Sequence, residues 1–394
     1  MAKLRTLAEQ ELNLAVKMTQ EMIRVPSLSG NEAVMAELTQ KYMRELGYDE
    51  VTVDEAGNVL GLMRGQGPGR SVMFNCHLDT VAAGDESVWK YPPYAGIIAD
   101  ERIWGLGASD TKGAFACQIV AVAALKKADL LPPGDVWVVG VVCEETAGFG
   151  SIHLSKHLKT DCVILGEASN NQLNIGHRGR ILYNVYYTGK STHASVPERG
   201  SNPHYAAARM VLAVESLKLG ADPFFGSTSF APTLYSTDQT SSNVTPGKVN
   251  LAIDCRNIPD ESEAFILDKL TGLVRQNLVP GVSAEIIVEL RDVLCYNGFM
   301  GKAPAGEPSF VTPASDETVR QAHRVLQEAV GHPVEIGVCG FATDGGHFRS
   351  RGSKVMVYAP SEERHCHTNE DSVSISKMQE ALLGNMALAI EMGQ

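Results

Sequence analysis

At 394 residues the chain exceeds one typical domain and can bury a substantial core, so two domains are expected. A formal charge of −12 argues against binding nucleic acid, which needs a basic stripe, and no apolar run approaches the roughly 18 residues of a membrane span. Eight Cys scattered without CxxC pairs, together with the absence of an export signal, suggest reduced thiols and a cytoplasmic location.

The opening stretch spaces Leu12, Ala15, Val16, Met22 and Ile23 along one helical face and predicts a first helix stopped by Pro26. Short apolar runs then alternate with helical stretches: SVMFNCH from Ser71, a helix over about 112–126, VWVVGVVCEE from Val136 and DCVILGE from Asp161. Such alternation predicts an α/β domain with a parallel sheet flanked by helices. From about Gly179 to Arg291 the grammar becomes strand (ILYNVYYTGK), helix (203–217), two strands (TSFAPTLYS and KVNLAIDCR), helix (261–278) and strand (SAEIIVEL), a βαββαβ unit. A helix over 316–330, the strand KVMVYAP and a last helix from Ile375 follow. The pattern reads as one domain inserted in another: 1–178 with 293–394, interrupted by 179–292.

Ligands of open α/β sheets gather beyond the carboxyl ends of the strands, so the residues that end each strand carry the argument. SVMFNC ends in His77, VWVVGVVC in Glu144 and Glu145, CVILG in Glu167, and KVMVYA leads to His365 and His367. Asp110, before the 112–126 helix, also reaches that rim. Each has a bland alternative: a structural His, a solvated Glu pair, or an Asp that caps a helix. Their coincidence at four strand ends outweighs these, and so many carboxylates would oppose one another's ionisation unless cations screened them. Imidazole and carboxylate without a thiolate set suit zinc, cobalt or manganese, and the residues suffice for two ions bridged by one carboxylate.

The runs HLDTV at His77, GLGASDTKG around Asp110, CEET at Glu144, LGEAS at Glu167, THAS at His193 and HCHTNEDSV at His367 together resemble one family. It comprises the acetylornithine deacetylase, succinyl-diaminopimelate desuccinylase, aminoacylase and glutamate carboxypeptidase metallohydrolases. The resemblance implies a zinc-exopeptidase-like catalytic domain with a mixed, largely parallel sheet, and an inserted ferredoxin-like domain serving as lid and dimerisation surface. It implies one divalent ion on His77, Asp110 and Glu167 and a second on Asp110, Glu145 and His367, with Asp110 as bridge. Glu144 is then similar to the general base, and Asp79 to the carboxylate that orients the His77 ring, two residues away on the same strand face. An extended backbone would point Glu144 and Glu145 in different directions. His193 resembles a residue that reaches a partner subunit's site to stabilise an oxyanion, Asn243 and Arg256 residues that hold a substrate carboxylate, and Gly340 a backbone contact in the substrate loop.

The last motif departs from the family in separating His365 from His367 by Cys366, and the family register favours His367. Cys76, Cys143 and Cys366 each precede a candidate and read as small apolar side chains on the opposite face. The GHRGR run at Gly176 is closer to desuccinylase-like members. The expected function is hydrolysis of an N-acyl amino acid, with a di- or carboxypeptidase as a rival and a non-catalytic metal-binding paralogue as a rival of another class. A serine hydrolase lacks its Gly-x-Ser-x-Gly elbow.

Overall fold

The structure, a computed structural model, describes residues 1–394, which divide into two compact units. The first comprises Met1–Gly176, Asp292–Ala303 and Val311–Gln394; the second comprises His177–Arg291 and Pro304–Phe310. Pro304–Phe310 thus returns to the second unit, and no boundary near 292 contains that return. Its Gly306–Glu307 strand pairs antiparallel with Arg180–Thr188, a contact that local patterning does not encode.

The first unit is built on a mixed sheet. Its central strands run Val136–Val141, Val72–His77, Cys162–Leu165 and Lys354–Val357, all parallel. The Val59–Met63 and Leu173–His177 strands add antiparallel at either side. Every residue of Val72–His77 is buried, which explains why this segment reads as an unbroken apolar run rather than an alternation. Because the four central strands point one way, their carboxyl ends share one rim.

The helix Gly113–Lys127 is buried from Gly113 to Leu125, packed between Ala2–Ile23 and Ile375–Met392 on one face of the sheet. Its buried stretch is apolar all round apart from Gln118, rich in Ala and Val beside Phe115, Ile119 and Leu125, as a helix enclosed on every side requires. Helix Ala2–Ile23 ends three residues short of Pro26, as read from the sequence, whereas Ala33–Glu45 escapes that reading.

In the second unit, strand Arg180–Thr188, helix His204–Ser216, strands Ser229–Thr237 and Lys248–Arg256, helix Glu263–Gln276 and strand Ser283–Val288 follow in chain order. The sheet places the second strand at one edge, then the third, the first and the fourth, all antiparallel. Tyr183, Val185 and Tyr187 alternate inward with Val249, Leu251, Ile253 and Cys255 to make its core with both helices.

Candidate metal centre

His77 is the last residue of its strand and is almost wholly buried. Its Nδ1 lies 2.9 Å from the Asp79 carbonyl oxygen, which only accepts, so Nδ1 donates a hydrogen bond there and Nε2 is the ring atom turned toward the carboxylates. Nε2 is 2.9 Å from Asp110 Oδ1 and 3.8 Å from Glu167 Oε1. The other Asp110 oxygen, Oδ2, lies 3.0 Å from His367 Nε2, which is itself 3.0 Å from Glu145 Oε1. The chain therefore forms two groups, His77–Asp110–Glu167 and Asp110–Glu145–His367, each with ligand atoms within 4.8 Å of one another and Asp110 common to both.

Asp110 is held in a loop rather than at a helix cap. Asp371 accepts the amide hydrogens of Gly107 (2.6 Å) and Ser109 (2.8 Å), one on each carboxylate oxygen, and Ser109 Oγ donates to the Ser372 carbonyl. Thr111 Oγ1 donates to the His77 carbonyl, tying the loop to the first ligand, and the Asp110–Thr111 peptide is cis. The following helix has no side-chain cap, which removes the capping role for Asp110.

The backbone at Glu144 and Glu145 corrects the extended arrangement read from the sequence. The strand stops at Val141, Cys143 takes a left-handed conformation with φ 55°, and Glu144–Ala147 is a helical turn. Three successive amides of this turn are held by buried carboxylates: Cys143 N donates to Glu32 Oε1 (3.0 Å), and Glu144 N and Glu145 N donate to the two oxygens of Asp79 (3.1 Å each). Ser29 Oγ also donates to Asp79, at 2.7 Å. The carboxylate of Asp79 thus anchors the turn, while the His77 ring donates its hydrogen bond to the Asp79 backbone carbonyl, with Oδ1 3.7 Å from Nδ1. Asp79→Asn would set an amide hydrogen against one of those N–H groups, and the expected result is a loss of about 10- to 100-fold in turnover or metal affinity. A kinetic and metal-content comparison checks this, and wild-type values in both would remove the anchoring role.

Charge in the cluster is mutually opposed. Burial, partly offset by His77, pushes the Glu167 carboxyl up to about 8, with Asp110 adding to the rise. Burial likewise drives Glu144 well above its usual range and raises Glu145 against its hydrogen bond to His367. Hydrogen bonds to Asp110 and Glu145 push His367 up to about 10. Asp110, though buried, is held below the ordinary carboxylate range by hydrogen bonds from His367 and His77. Buried carboxylates gathered around two imidazoles form a donor set that fits divalent cations, and neither group includes a thiolate.

His367, itself left-handed with φ 57°, joins the cluster; His365 turns its Nδ1 to the Glu370 carbonyl instead. Cys76 packs toward Gln118 and Cys143 toward Glu32, as buried small residues, but Cys366 lines the pocket beside His367, a correction to its expected position. Gly340 lies in the loop after Ile336–Cys339.

In the second unit His193 and Asn243 share a corner: His193 bridges to Val244, and Ala194 N donates to the Asn243 carbonyl. Nδ1 of His193 accepts the amide hydrogen of Ser195, leaving Nε2–H as an exposed donor. Arg256 ends the nine-residue strand Lys248–Arg256, its Nε bonded to Asp254 Oδ1 at 2.7 Å. The length of that strand, roughly 27 Å, separates Arg256 from the His193 corner. The structure does not bring Asn243 and Arg256 together within one chain.

Glu32, Asp371 and Ser29 were not found from sequence. Asp371 sits inside the HCHTNEDSV run, where its position after the ligand was the available signal; Glu32 and Ser29 give none, since their roles arise only from tertiary contact.

The chain belongs to peptidase family M20/M25/M40, which matches residues 73–383, and it is a metallohydrolase of amide or peptide bonds. One protein that shares the fold, YXEP of Bacillus subtilis, is a dinuclear metal binding peptidase of the M20 family, at a TM-score of 0.71 and 12% identity over 98% and 100% of the two chains. The chain is 27% identical over 353 residues to the uncharacterized protein YgeY of Escherichia coli, covering 88% of this chain and 86% of that one. It is 27% identical over 332 residues to a succinyl-diaminopimelate desuccinylase of Dinoroseobacter shibae, covering 80% and 86%. The fold is shared with a tripeptidase of Staphylococcus aureus, at a TM-score of 0.74 and 20% identity over 97% and 98% of the two chains.

Proposed function

We propose that the chain cleaves the amide bond of an N-acyl amino acid, in the manner of a deacetylase or desuccinylase. His77, Asp110 and Glu167 would hold one divalent ion and Asp110, Glu145 and His367 another, zinc first, with cobalt or manganese able to substitute. When bound, such ions supply Lewis-acid polarisation of a carbonyl and acidify water. Glu144 belongs to neither group of ligands yet lines the same pocket, which suits it to take a proton from the attacking water on its carboxylate and return it to the leaving amine. Nε2–H of His193 is a donor for the oxyanion, and the guanidinium of Arg256 and the amide of Asn243 are donors for a substrate carboxylate. The observation that carries the reading is the pair of ligand groups sharing Asp110, with Glu144 beside them. Assembly of two ligand groups around Asp110, with Glu144 in the pocket beside them, speaks against a non-catalytic paralogue.

Donors at opposite ends of one sheet can meet on a single substrate only if two copies contribute them, which supports a homodimer formed through the second unit. Its edge strand Ser229–Thr237 exposes Leu234 and Tyr235, an apolar edge that a partner would cover. Sedimentation showing only monomer in active material would remove the dimer. Eight free thiols support a reducing, cytoplasmic setting, and no helix is long and apolar enough to cross a membrane.

The deciding experiment measures amine release by the metal-loaded protein from N-acetyl and N-succinyl amino acids beside a panel of dipeptides. Turnover of an N-acyl series is expected. Cleavage confined to dipeptides would transfer the reading to the peptidase rival, for which the tripeptidase fold offers support.

A further inference from the structure

We propose that Glu363 selects substrates bearing a positive charge by receiving an ammonium group, either the free α-amine of a peptide or the side-chain amine of an acylated diamino acid. The proposal rests on the reaction class given above and adds the charge of the substrate to it.

The pocket over the ligand groups has a volume of about 300 Å³, room for a small ligand. Beyond the four carboxylates already given roles, one more lines it, that of Glu363, and no Lys or Arg does. Glu363 joins neither ligand group. Its contrast with the preceding residue is instructive. Glu362 is paired with three cations, Arg102 Nη2 (2.8 Å), Arg364 Nη2 (2.9 Å) and Lys377 Nζ (3.0 Å). None of these cations pairs with Glu363, which is exposed toward the pocket.

The backbone opposite makes room for this carboxylate. A Cβ at Gly340 would stand 2.8 Å from Glu363 Oε1 and 3.3 Å from Oε2, so the absence of a side chain there lets the carboxylate rest against the substrate loop. Phe341, next in that loop, lines the same wall and offers an aromatic ring, whose face attracts cations. A ligand that fills the pocket displaces water from Glu363. An ammonium replaces that hydration with a charge-assisted hydrogen bond, whereas a neutral group leaves the carboxylate desolvated and a second carboxylate is repelled. The wall therefore discriminates by penalty as well as by attraction.

The test uses metal-loaded wild type, Glu363→Gln and Gly340→Ala with two matched pairs of substrates. One pair is alanyl-leucine and propionyl-leucine; the other is Nα-acetyl-lysine and Nα-acetyl-norleucine. Within each pair the members differ in one ammonium. Wild type is expected to favour the ammonium member of one pair by about tenfold in kcat/KM, the scale of a single charge-assisted hydrogen bond, and the pair that responds identifies the source of the amine. Glu363→Gln should bring that ratio near one by weakening only the charged member, with metal content unchanged. Gly340→Ala, whose methyl displaces the flexible carboxylate, should lower the ratio in the same direction. No preference in wild type, an unchanged ratio in Glu363→Gln, equal loss on both members, or loss of metal would each overturn the proposal. If none of the four compounds is cleaved, the reaction class fails separately, and calorimetric binding of lysine against norleucine and of alanine against propionate decides instead. A wild-type preference for the charged member of either binding pair that Glu363→Gln abolishes supports the proposal; equal affinities in both pairs overturn it.

Discussion

Glu144→Gln is expected to retain both metal ions and to lose turnover by roughly a hundred- to ten-thousand-fold, the range associated with removing a general acid–base group. The substitution keeps the shape of the side chain and removes only its capacity to exchange a proton. The backbone should stay in place, because the Glu144 amide is fixed from behind by Asp79 and that of Cys143 by Glu32. Ligand atoms should also be unaffected, since both groups close without Glu144. Rates near wild type would move the base elsewhere in the pocket; loss of one metal equivalent would make Glu144 a ligand. Metal analysis by mass spectrometry beside steady-state kinetics separates these outcomes.

Removal of metal by a chelator is expected to abolish activity and to lower the melting temperature by several degrees, reversibly. An ion that binds only the folded chain contributes on the order of 4 kcal/mol at a thousandfold excess over its Kd, which corresponds to a shift of that size for a large domain. Stripped of cations, the cluster keeps buried carboxylates whose charges oppose one another, with burial and Asp110 raising Glu167. Asp110→Asn provides the internal comparison. Because Asp110 belongs to both ligand groups, its loss should mimic the chelated protein and leave little further shift on adding chelator. Scanning fluorimetry with and without chelator reads both, and an active, thermally unchanged protein after exhaustive chelation would rule out the metal centre.

The parts legible in the sequence were those in which one physical signal dominated. His77 and Glu167 could be placed because each ends an apolar run that the structure shows as a central parallel strand, where chain direction alone brings the ends to one rim. The strand into Glu144 was read too long because β-branched residues continue through Val142 and the break falls on Cys143, a residue with no preference for the left-handed conformation it adopts. Asp110 was recognisable by motif, but its loop is fixed by Asp371, 261 positions away, and no local pattern reports such a partner. Glu32 illustrates the same limit. From the sequence it is a charged residue ahead of a helix; in the fold it is wholly buried and bonded to the Cys143 amide at the start of the Glu144–Ala147 turn.

The order in which the polypeptide is synthesised gives the Asp110–Glu145–His367 group a further consequence. Two of its members precede the second unit in the chain and the third follows it, so translation must pass that entire unit before the group can close. Domains tend to fold as units, amino-terminal parts first, as they leave the ribosome. The second unit, contiguous over most of its length, can therefore condense while Asp110 and Glu145 still await His367. Capture of the cation proposed for these residues becomes a late event in biogenesis, and a chain stalled before His367 would carry a folded second unit and an open, acidic, incomplete centre.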